Sequence, residues 1–399
     1  MKKEIIVKIK PKHVNQYRSG YPLLTKEAIE NIGALNKEGD IIKLVDPQGR
    51  FIGKGYYGRQ NKGYGWILTK EEKQVIDISF VEKRLIEAID RRKSLYRSKD
   101  TNAFRVFNGE GDGFGGFTID YFDGYYLINW YSKGCYKFRD HVINSLKRIV
   151  DFKGIYQKKR FDTQGKYIEE DGFVMGTRGE FPLVVKENGV HFAIYLNEGA
   201  MVGVFLDQRD VRNAIRKKYS KDKSVLNTFS YTGAFSIYAA LGGAKKTTSV
   251  DLANRSLPRT REHFSLNELD YEGHDILVED VFNYFKYAVK KGLKFDTVIL
   301  DPPSFAKSKK FKFSAQKDYT NLLKEAIAIT EDEGVIVAST NCSLFNMKKF
   351  KTFIEDAFSQ MRYPYSILEE YTLPSDFKTT KTFKEGNYLK VVFLKKHKR

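Results

Sequence analysis

The sequence predicts an α/β protein whose C-terminal half forms an open, doubly wound sheet, preceded by a small β-barrel and an α+β unit. Two observations predict the sheet. From residue 190 onward, apolar strands alternate with helical segments, and each of these strands ends in polar residues. Residues 225–252 also have the order strand, small-residue turn, helix and second strand, which is half of a nucleotide-binding sheet. We predict three domains, at residues 1–73, 74–189 and 190–399.

The composition indicates a globular protein with an affinity for polyanions. The chain has 399 residues, of which 41% are hydrophobic and 14% aromatic, and its formal net charge is +19. Such an excess attracts nucleic acids by long-range electrostatics, although a lysine-rich proteome would raise the charge as well. Two distant cysteines exclude a disulfide framework, no metal site is expected, and no apolar run is long enough to cross a bilayer. We therefore expect a cytoplasmic protein that has no membrane partner.

The first domain has the pattern of a small barrel. Residues 5–9, 40–45 and 50–58 are predicted strands, and the Pro/Gly turn between the last two predicts a hairpin. Basic residues outnumber acidic ones here, and six aromatic residues are interleaved with them. This composition is typical of RNA binding, but the aromatic residues could equally form the barrel core. The six are Tyr17, Tyr21, Tyr56, Tyr57, Tyr64 and Trp66.

The second domain combines helices with a hairpin. One helix is predicted over residues 76–97, followed by a glycine-rich turn at 109–113, hairpin strands at 117–120 and 125–130, a helix at 139–150 and a strand at 154–156. Glu110 and Asp112 in the turn lack the ligand spacing of a calcium loop. A structural turn is therefore the better interpretation.

The turn after the first strand of the third domain indicates which nucleotide could bind. Gly233 allows the backbone to approach a ligand, and an acidic residue at the end of the next strand, Asp251, can accept both hydroxyls of a ribose. Neither a three-glycine pyrophosphate fingerprint nor a Gly-Lys-Ser/Thr loop is present. The turn suits S-adenosylmethionine, a nucleoside without phosphates. From this stretch alone, an ordinary loop between a strand and a helix is nearly as good an interpretation.

Four strand ends strengthen the cofactor hypothesis. The carboxyl ends of parallel strands meet at one edge of a doubly wound sheet, so Asp251, Asp280, Asp301 and Asn341 should lie along a common crevice. Four polar strand ends are harder to attribute to chance than any one of them.

Taken with these residues, nearly the whole chain resembles the RlmI-like class I S-adenosylmethionine-dependent methyltransferases of 23S ribosomal RNA, in their Gram-positive, RlmQ-like branch. The motifs that carry the resemblance are GEGDG, GVFLDQRDVR, NTFSYTGAFS, SVDL, EDVF and DPPSF, in family order. The resemblance implies a PUA-like N-terminal domain, a Rossmann-like catalytic domain and an RNA substrate, either 23S rRNA or a large-subunit precursor. The family also allows a homodimer.

The resemblance also implies roles for individual residues. Asp251 would hold the ribose and Asp280 the adenine amino group, while Asp301 with the next two prolines would face the methyl group and the base. The full set of cofactor-binding residues is Asp207, Gln208, Arg209, Asn227, Phe229, Ser230, Tyr231, Gly233, Ala234, Phe235, Asp251, Leu252, Asp280, Val281 and Asp301. The implied catalytic residues are Asp301, Pro302, Pro303, Asn341 and Cys342.

The acceptor atom depends on Cys342 and on the loop after Asp301. Cytosine C5 requires a thiolate that first adds to C6, and Cys342 stands where the cytosine-modifying members carry such a nucleophile. Those members have Ser or Thr before it, whereas this chain has Asn341. The loop at residues 301–319 is closer to that of RlmK-type guanine-N7 methyltransferases, and residues 373–390 lack the Asp-His-Pro of the cytosine branch. We therefore expect guanine N7, with cytosine C5 as the alternative and a non-catalytic RNA-binding protein as a more distant one. The lysine-rich loop 307–312 is expected to contact RNA phosphates.

Overall fold

The structure is a computed structural model that describes residues 4–61, 63–161, 171–199, 201–307 and 312–399, without the side chains of Lys307 and Lys312. Backbone contacts divide the chain into two units. The first unit comprises Met1–Val185, Ile194–Val202 and Ser375–Gly386, and the second comprises Lys186–Ala193, Gly203–Pro374 and Asn387–Arg399. The predicted domain boundaries at 73/74 and 189/190 stay predictions.

The first unit begins with a five-stranded sheet, ordered β1-β3-β4-β5-β2. Its strands β3 and β4 form the predicted hairpin. Tyr17, Tyr56, Tyr57 and Trp66 are buried, so these four aromatic residues belong to hydrophobic cores and offer no surface for stacking on RNA bases. The elements are β1 (Ile5–Lys8), α1 (Pro11–Arg18), β2 (Leu23–Thr25), β3 (Ile41–Val45), β4 (Phe51–Gln60) and β5 (Gly63–Thr69).

A second five-stranded sheet, ordered β10-β9-β8-β7-β6, follows in the same unit. The predicted hairpin is β7–β8. The helical segment predicted for residues 76–97 is confirmed over most of its length, and it is divided into two helices that meet at Arg92. The elements are α2 (Ile78–Arg91), α3 (Lys93–Tyr96), β6 (Ala103–Asn108), β7 (Phe117–Phe122), β8 (Tyr125–Trp130), α4 (Lys133–Tyr136), α5 (Arg139–Ile149), β9 (Gly154–Lys159) and β10 (Phe173–Gly176).

A short two-stranded sheet, β11 (Leu183–Glu187) with β12 (Val190–Ile194), comes next along the chain. The first unit is completed from far downstream by residues 375–386, in which Asp376 and Phe377 are buried. The sequence pattern did not indicate that this segment contacts the first unit.

The second unit is built on a seven-stranded sheet, ordered β15-β14-β13-β16-β19-β21-β20. The first five strands in this order run parallel, and β21 runs antiparallel to both of its neighbours. The elements are α6 (Arg209–Lys218), β13 (Ser224–Thr228), α7 (Ala234–Leu241), β14 (Lys246–Asp251), α8 (Ser256–Leu266), β15 (Asp275–Val278), α9 (Val281–Lys291), β16 (Phe295–Leu300), β17 (Phe305–Lys307), β18 (Lys312–Ser314), α10 (Ala315–Ile329), β19 (Thr330–Thr340), α11 (Met347–Met361), β20 (Tyr365–Tyr371) and β21 (Lys390–Lys396).

The strand order of this sheet positions the candidate site. Strand β13 pairs with β14 on one side and with β16 on the other, so the direction of winding reverses between β13 and β16. Ligands of open α/β sheets bind outside the carboxyl ends of the strands at such a reversal.

Among the described residues, no helix has both the length and the apolar character that a membrane span requires.

Candidate active site

The turn between β13 and α7 has an unusual backbone. Phe229, Tyr231 and Gly233, which alternate along it, have positive φ angles of 55°, 52° and 74°. Bulky residues rarely adopt this conformation, which costs about 1–3 kcal/mol per residue and is concentrated at functional sites. Backbones of this kind present N–H groups on a concave surface that can hold a carboxylate. The turn therefore fits the amino-acid end of S-adenosylmethionine.

Gly233 is required by both conformation and space. A Cβ atom at this position would lie 2.4 Å from Cγ2 of Thr260 on α8, well inside van der Waals contact. The absence of a side chain lets α7 begin directly behind the turn, where Ala234 and Phe235 are buried. This close packing of the turn against α8 leaves no room for a side chain at position 233.

Asp251 and Asp280 lie at the ends of β14 and β15, on the edge predicted from the sequence. Asp251 accepts hydrogen bonds from the backbone N–H groups of Tyr231 (2.8 Å) and Ala253 (2.9 Å), which fix its carboxylate beside the turn. Asp280 caps α9 by accepting from the N–H groups of Phe282 and Asn283. Both carboxylates are thus held by backbone groups. Each aspartate is followed in the sequence by another predicted cofactor residue. Of these two, Leu252 is 59% exposed and Val281 is buried.

Two predicted cofactor residues, one in β13 and one in the turn, have buried positions. Asn227 is fully buried and donates through Nδ2 to the Ser236 hydroxyl at 2.9 Å, and Ser236 in turn pairs with Ser249. Ser230 is buried too, and its N–H donates to the carbonyl of Val250. The Asn227 side chain and the Ser230 N–H thus tie β13, α7 and β14 together. A direct contact of either residue with the cofactor stays a prediction.

Asp301 belongs to a hydrogen-bonded group with Gln208 and Ser339. Gln208 donates to Asp301 Oδ1 at 3.0 Å and to the Ser339 hydroxyl at 2.8 Å, and Ser339 donates to the same Oδ1 at 2.7 Å. Burial raises the pKa of Asp301 to about 6; the hydrogen bond from Ser339 opposes this rise and the nearby carboxylate of Asp207 adds to it. A carboxyl group whose pKa is raised this close to neutral pH is typical of a functional site.

The loop before α6 supplies Gln208 and is itself anchored. Arg212 forms two 2.8 Å hydrogen bonds with the buried carboxylate of Glu187 and a third with the carbonyl of Phe205. Asp207 accepts a hydrogen bond from the hydroxyl of Tyr388 at 2.8 Å. Arg209, another predicted cofactor residue, is buried at the start of α6.

The two polar candidates after β19 differ in exposure. Asn341 is exposed and accepts a hydrogen bond from the Ser304 hydroxyl at 2.5 Å, next to Pro302 and Pro303. Cys342 is only 3% exposed and packs in the hydrophobic core. Its carbonyl accepts a hydrogen bond from the Lys390 ammonium at 2.9 Å, and burial lowers the pKa of Lys390 to about 8. Of the lysine-rich loop, residues 308–311 lie outside the described residues.

Sequence reasoning missed three members of this site: Ser339, Tyr388 and Lys390. Ser339 could have been noticed, because it is a polar residue that directly follows the apolar run 335–338 and lies two residues before Asn341. Tyr388 and Lys390 come from β21 and the residues before it, and nothing in the sequence indicated that β21 pairs beside β19.

Two family models match the chain: a PUA-like domain over residues 7–70 and an S-adenosylmethionine-dependent methyltransferase over residues 159–352. A candidate ribosomal RNA large subunit methyltransferase of Bacillus subtilis (strain 168), YwbD, is 60% identical over 98% of this chain and 99% of its own length. Ribosomal RNA large subunit methyltransferase I of Pseudoalteromonas translucida is 30% identical over 94% of this chain and 95% of its own.

Solved structures agree with this relationship. SMU.776, a candidate methyltransferase crystallised in complex with SAH, superposes with a TM-score of 0.90 at 37% identity and covers 98% of this chain and 99% of its own. A candidate SAM-dependent methyltransferase from Streptococcus mutans gives 0.89 at 36% identity, over 98% of this chain and 100% of its own. The fold and the site define an S-adenosylmethionine-dependent methyltransferase with an N-terminal PUA-like domain. The chain belongs to the RlmI-like family of ribosomal RNA large subunit methyltransferases.

Proposed function

We propose that this protein methylates a base of large-subunit ribosomal RNA, and that the acceptor is N7 of guanine. The names of its relatives support the RNA class. The observation that carries the choice of atom is the position of Cys342, which is 3% exposed and packed among core side chains of α10 and α11. A nucleophilic thiol would have to reach C6 of a cytosine, and a buried cysteine commonly serves as a small apolar residue instead.

Methylation of guanine N7 requires little acid–base catalysis by the protein. When bound, S-adenosylmethionine supplies a sulfonium methyl group, which the N7 lone pair accepts in an in-line displacement while the neutral thioether leaves. The protein contributes mainly by holding the base close and in line. The purine gains positive charge as the new bond forms, and the Asp301 carboxylate, fixed by Gln208 and Ser339, is a group that would stabilise this charge.

The exposed groups beside Asp301 are suited to contact a base. Asn341 has an exposed amide whose oxygen is oriented by Ser304, and the Phe305 side chain is 54% exposed. Single-stranded bases are recognised by stacking on aromatic side chains and by hydrogen bonds to their edges. A guanine in folded RNA would first have to be swung out of its stack.

One observation favours the alternative, methylation of cytosine C5. The ammonium of Lys390 donates to the carbonyl oxygen of Cys342 at 2.9 Å, which places a cation beside this residue. In that reaction the Cys342 thiolate would add to C6 of cytosine and be eliminated again after the methyl transfer, when the base loses its proton at C5.

The proposal is tested with Cys342→Ala, assayed for methyl transfer from isotope-labelled S-adenosylmethionine to 23S rRNA. We expect transfer within about threefold of the wild type, because the side chain fills core space and takes no part in the reaction. Cys135→Ala, which removes the other buried cysteine from the first unit, is the matched control for a loss of stability. If Cys342→Ala loses methyl transfer while it still binds the cofactor, and Cys135→Ala stays active, the result favours methylation of cytosine C5 over guanine N7.

A further inference from the structure

A cavity of about 460 Å³ lies in the first unit, formed by α2, the glycine-rich turn at 109–113 and residues 378–381. Its lining is almost entirely polar: the side chains are charged or belong to threonines, and the remaining residues are glycines. Pockets for small organic ligands are mostly apolar. The lining therefore indicates a charged ligand, and the glycine-rich turn singled out in the sequence is part of its wall.

The wall of this pocket is rigidly built. A Cβ atom at Gly111 would lie 1.8 Å from the carbonyl oxygen of Lys378, so only glycine allows the turn and the downstream segment to approach this closely. Asn108 donates to the same carbonyl at 2.8 Å. Arg92 donates through Nε to the carbonyl of Asp376 at 3.0 Å, which fixes the segment on its other side. Because backbone contacts hold the segment, the Lys378 side chain is not needed for its position.

The charges in the pocket are unbalanced. Asp112 is fully buried, and its carboxylate is occupied by Arg92 at 2.8 Å and 3.1 Å and by the N–H of Asn108 at 2.7 Å. Burial, with Asp112 nearby, raises the pKa of Glu110 to about 7, which reduces its negative charge at neutral pH. Burial and then the proximity of Arg91 lower the pKa of Lys378. Arg91, Arg92 and Lys378 thus lie around one carboxylate, and the Arg91 guanidinium is itself 3.4 Å from Asp112 Oδ1.

Two further cations complete the rim. Arg84 lies on α2 with its guanidinium 5.1 Å from the ring of Phe80, and among the described residues its buried Nε has no hydrogen-bond partner. Lys381 is exposed at the end of the downstream segment. With Arg91 and Lys378, four cationic side chains from two separate parts of the chain line the pocket, together with the carboxyl groups of Glu87, Glu110 and Asp112. Glu87 forms ion pairs with Arg84 (3.4 Å) and Arg91 (4.0 Å), Asp112 is paired with Arg92, and Glu110 is partly neutral, so the cations still exceed the negative charges. An anion would relieve the mutual repulsion of the cations.

We propose that this pocket binds a phosphodiester group of the RNA substrate. The inference rests on the proposed function, which supplies a polyanionic substrate, and it adds an RNA contact outside the methyl-transfer site. Phosphate groups are contacted by Lys, Arg, Thr and backbone N–H groups, which are the groups of this lining. Such contacts fix the position of a nucleic acid on a protein without reading its sequence.

The test measures the affinity of protein-free 23S rRNA for the full chain over a series of salt concentrations. Lys378→Ala/Lys381→Ala is compared with Lys137→Ala/Lys147→Ala, which removes the same charge from exposed lysines of the first unit outside the pocket. We expect the pocket variant to bind about tenfold more weakly than the control, and its slope of log affinity against log salt to fall by about 1. Affinity for S-adenosylmethionine, measured by calorimetry, should be the same in both variants.

The outcomes separate this inference from the proposed function. If the wild type methylates rRNA while both double variants bind it with equal affinity and slope, the pocket inference is overturned and the function stands. If binding depends on the pocket but no base is methylated, the function fails and the RNA contact stands. If inorganic phosphate raises the melting temperature of the wild type but not of the pocket variant, while RNA affinity is equal, the pocket serves a free anion and the RNA assignment is overturned.

Discussion

Replacement of Asp301 by asparagine is expected to stabilise the protein at neutral pH and to lower methyl transfer. Both hydrogen bonds to Asp301, from Gln208 and Ser339, go to Oδ1, and the Oδ1 atom of asparagine can accept both. The substitution therefore keeps the local geometry and removes only the charge. The charge is costly, because burial raises the pKa of this carboxyl from 3.8 to about 6.

The size of the effect follows from the pKa. Between about pH 4 and pH 6 the folded protein keeps the proton that the unfolded chain has released, so the free energy of unfolding of the wild type falls as the pH rises through this window. Each pKa unit corresponds to about 1.4 kcal/mol, which gives at most about 3 kcal/mol above pH 7. Partial contact of the carboxylate with solvent makes this an upper limit. Asparagine, which is always neutral, avoids this cost.

The measurement is urea unfolding followed by circular dichroism at about pH 5 and about pH 7.5. Asp296→Asn is the matched control, because Asp296 lies in the same strand β16. Burial raises the pKa of Asp296, but hydrogen bonds from Ser224 and Lys223 outweigh burial and lower it overall. Loss of this carboxylate should destabilise the protein at pH 7.5, and less so at low pH, which is the opposite sign.

The reasoning would be refuted by an Asp301→Asn variant that is less stable than the wild type at pH 7.5, or by a stability difference that does not change with pH. Methyl transfer at pH 7.5 should fall at least about 100-fold in the variant, the usual cost of losing one charge-stabilising group. If the variant is stabilised but fully active, the burial cost of the Asp301 charge is supported, and Asp301 has no catalytic role.

Two further predictions concern the turn that holds the cofactor. Gly233→Ala should lower the free energy of unfolding by about 2–3 kcal/mol and weaken S-adenosylmethionine binding at least tenfold, because the new methyl group meets Thr260 and the φ angle is strained. Adding Thr260→Ala should recover part of the stability, since it removes the two closest atoms, Cγ2 and Oγ1, and leaves the Cβ atom at 3.1 Å and the strained φ angle. A complete recovery would show that the φ angle costs nothing. Asp251→Ala should weaken cofactor binding about 10- to 100-fold by calorimetry, because it removes a charged acceptor and frees the N–H of Tyr231. Unchanged affinity would exclude Asp251 from the site.

The alternation of strands and helices and the crevice edge could be predicted from the sequence, because apolar runs that end in polar residues mark parallel strands. Asp251, Asp280, Asp301 and Asn341 do follow the carboxyl ends of neighbouring parallel strands. The orientation of side chains could not be predicted in the same way. Asn227 follows the same logic as Asp251 in the sequence, yet its side chain points to Ser236 inside the unit.

Contacts between distant parts of the chain could not be predicted from the sequence either. Residues 375–386 are polar and lack a regular pattern, so nothing in them indicated that Asp376 and Phe377 are buried in the first unit. The sequence indicated the glycine-rich turn at residues 109–113, but its packing against the Lys378 carbonyl depends on this downstream segment. Periodicity reports which residues of an element are buried and not which segment covers them.

The central claim is that the protein methylates guanine N7 of large-subunit rRNA. Its most direct test is mass spectrometry of nucleosides from 23S rRNA of cells with the gene, without it, and complemented with the wild type or with Asp301→Asn. We expect 7-methylguanosine to fall when the gene is removed and to return only with the wild type. Unchanged 7-methylguanosine together with a loss of 5-methylcytidine would contradict the claim and assign the reaction to cytosine C5.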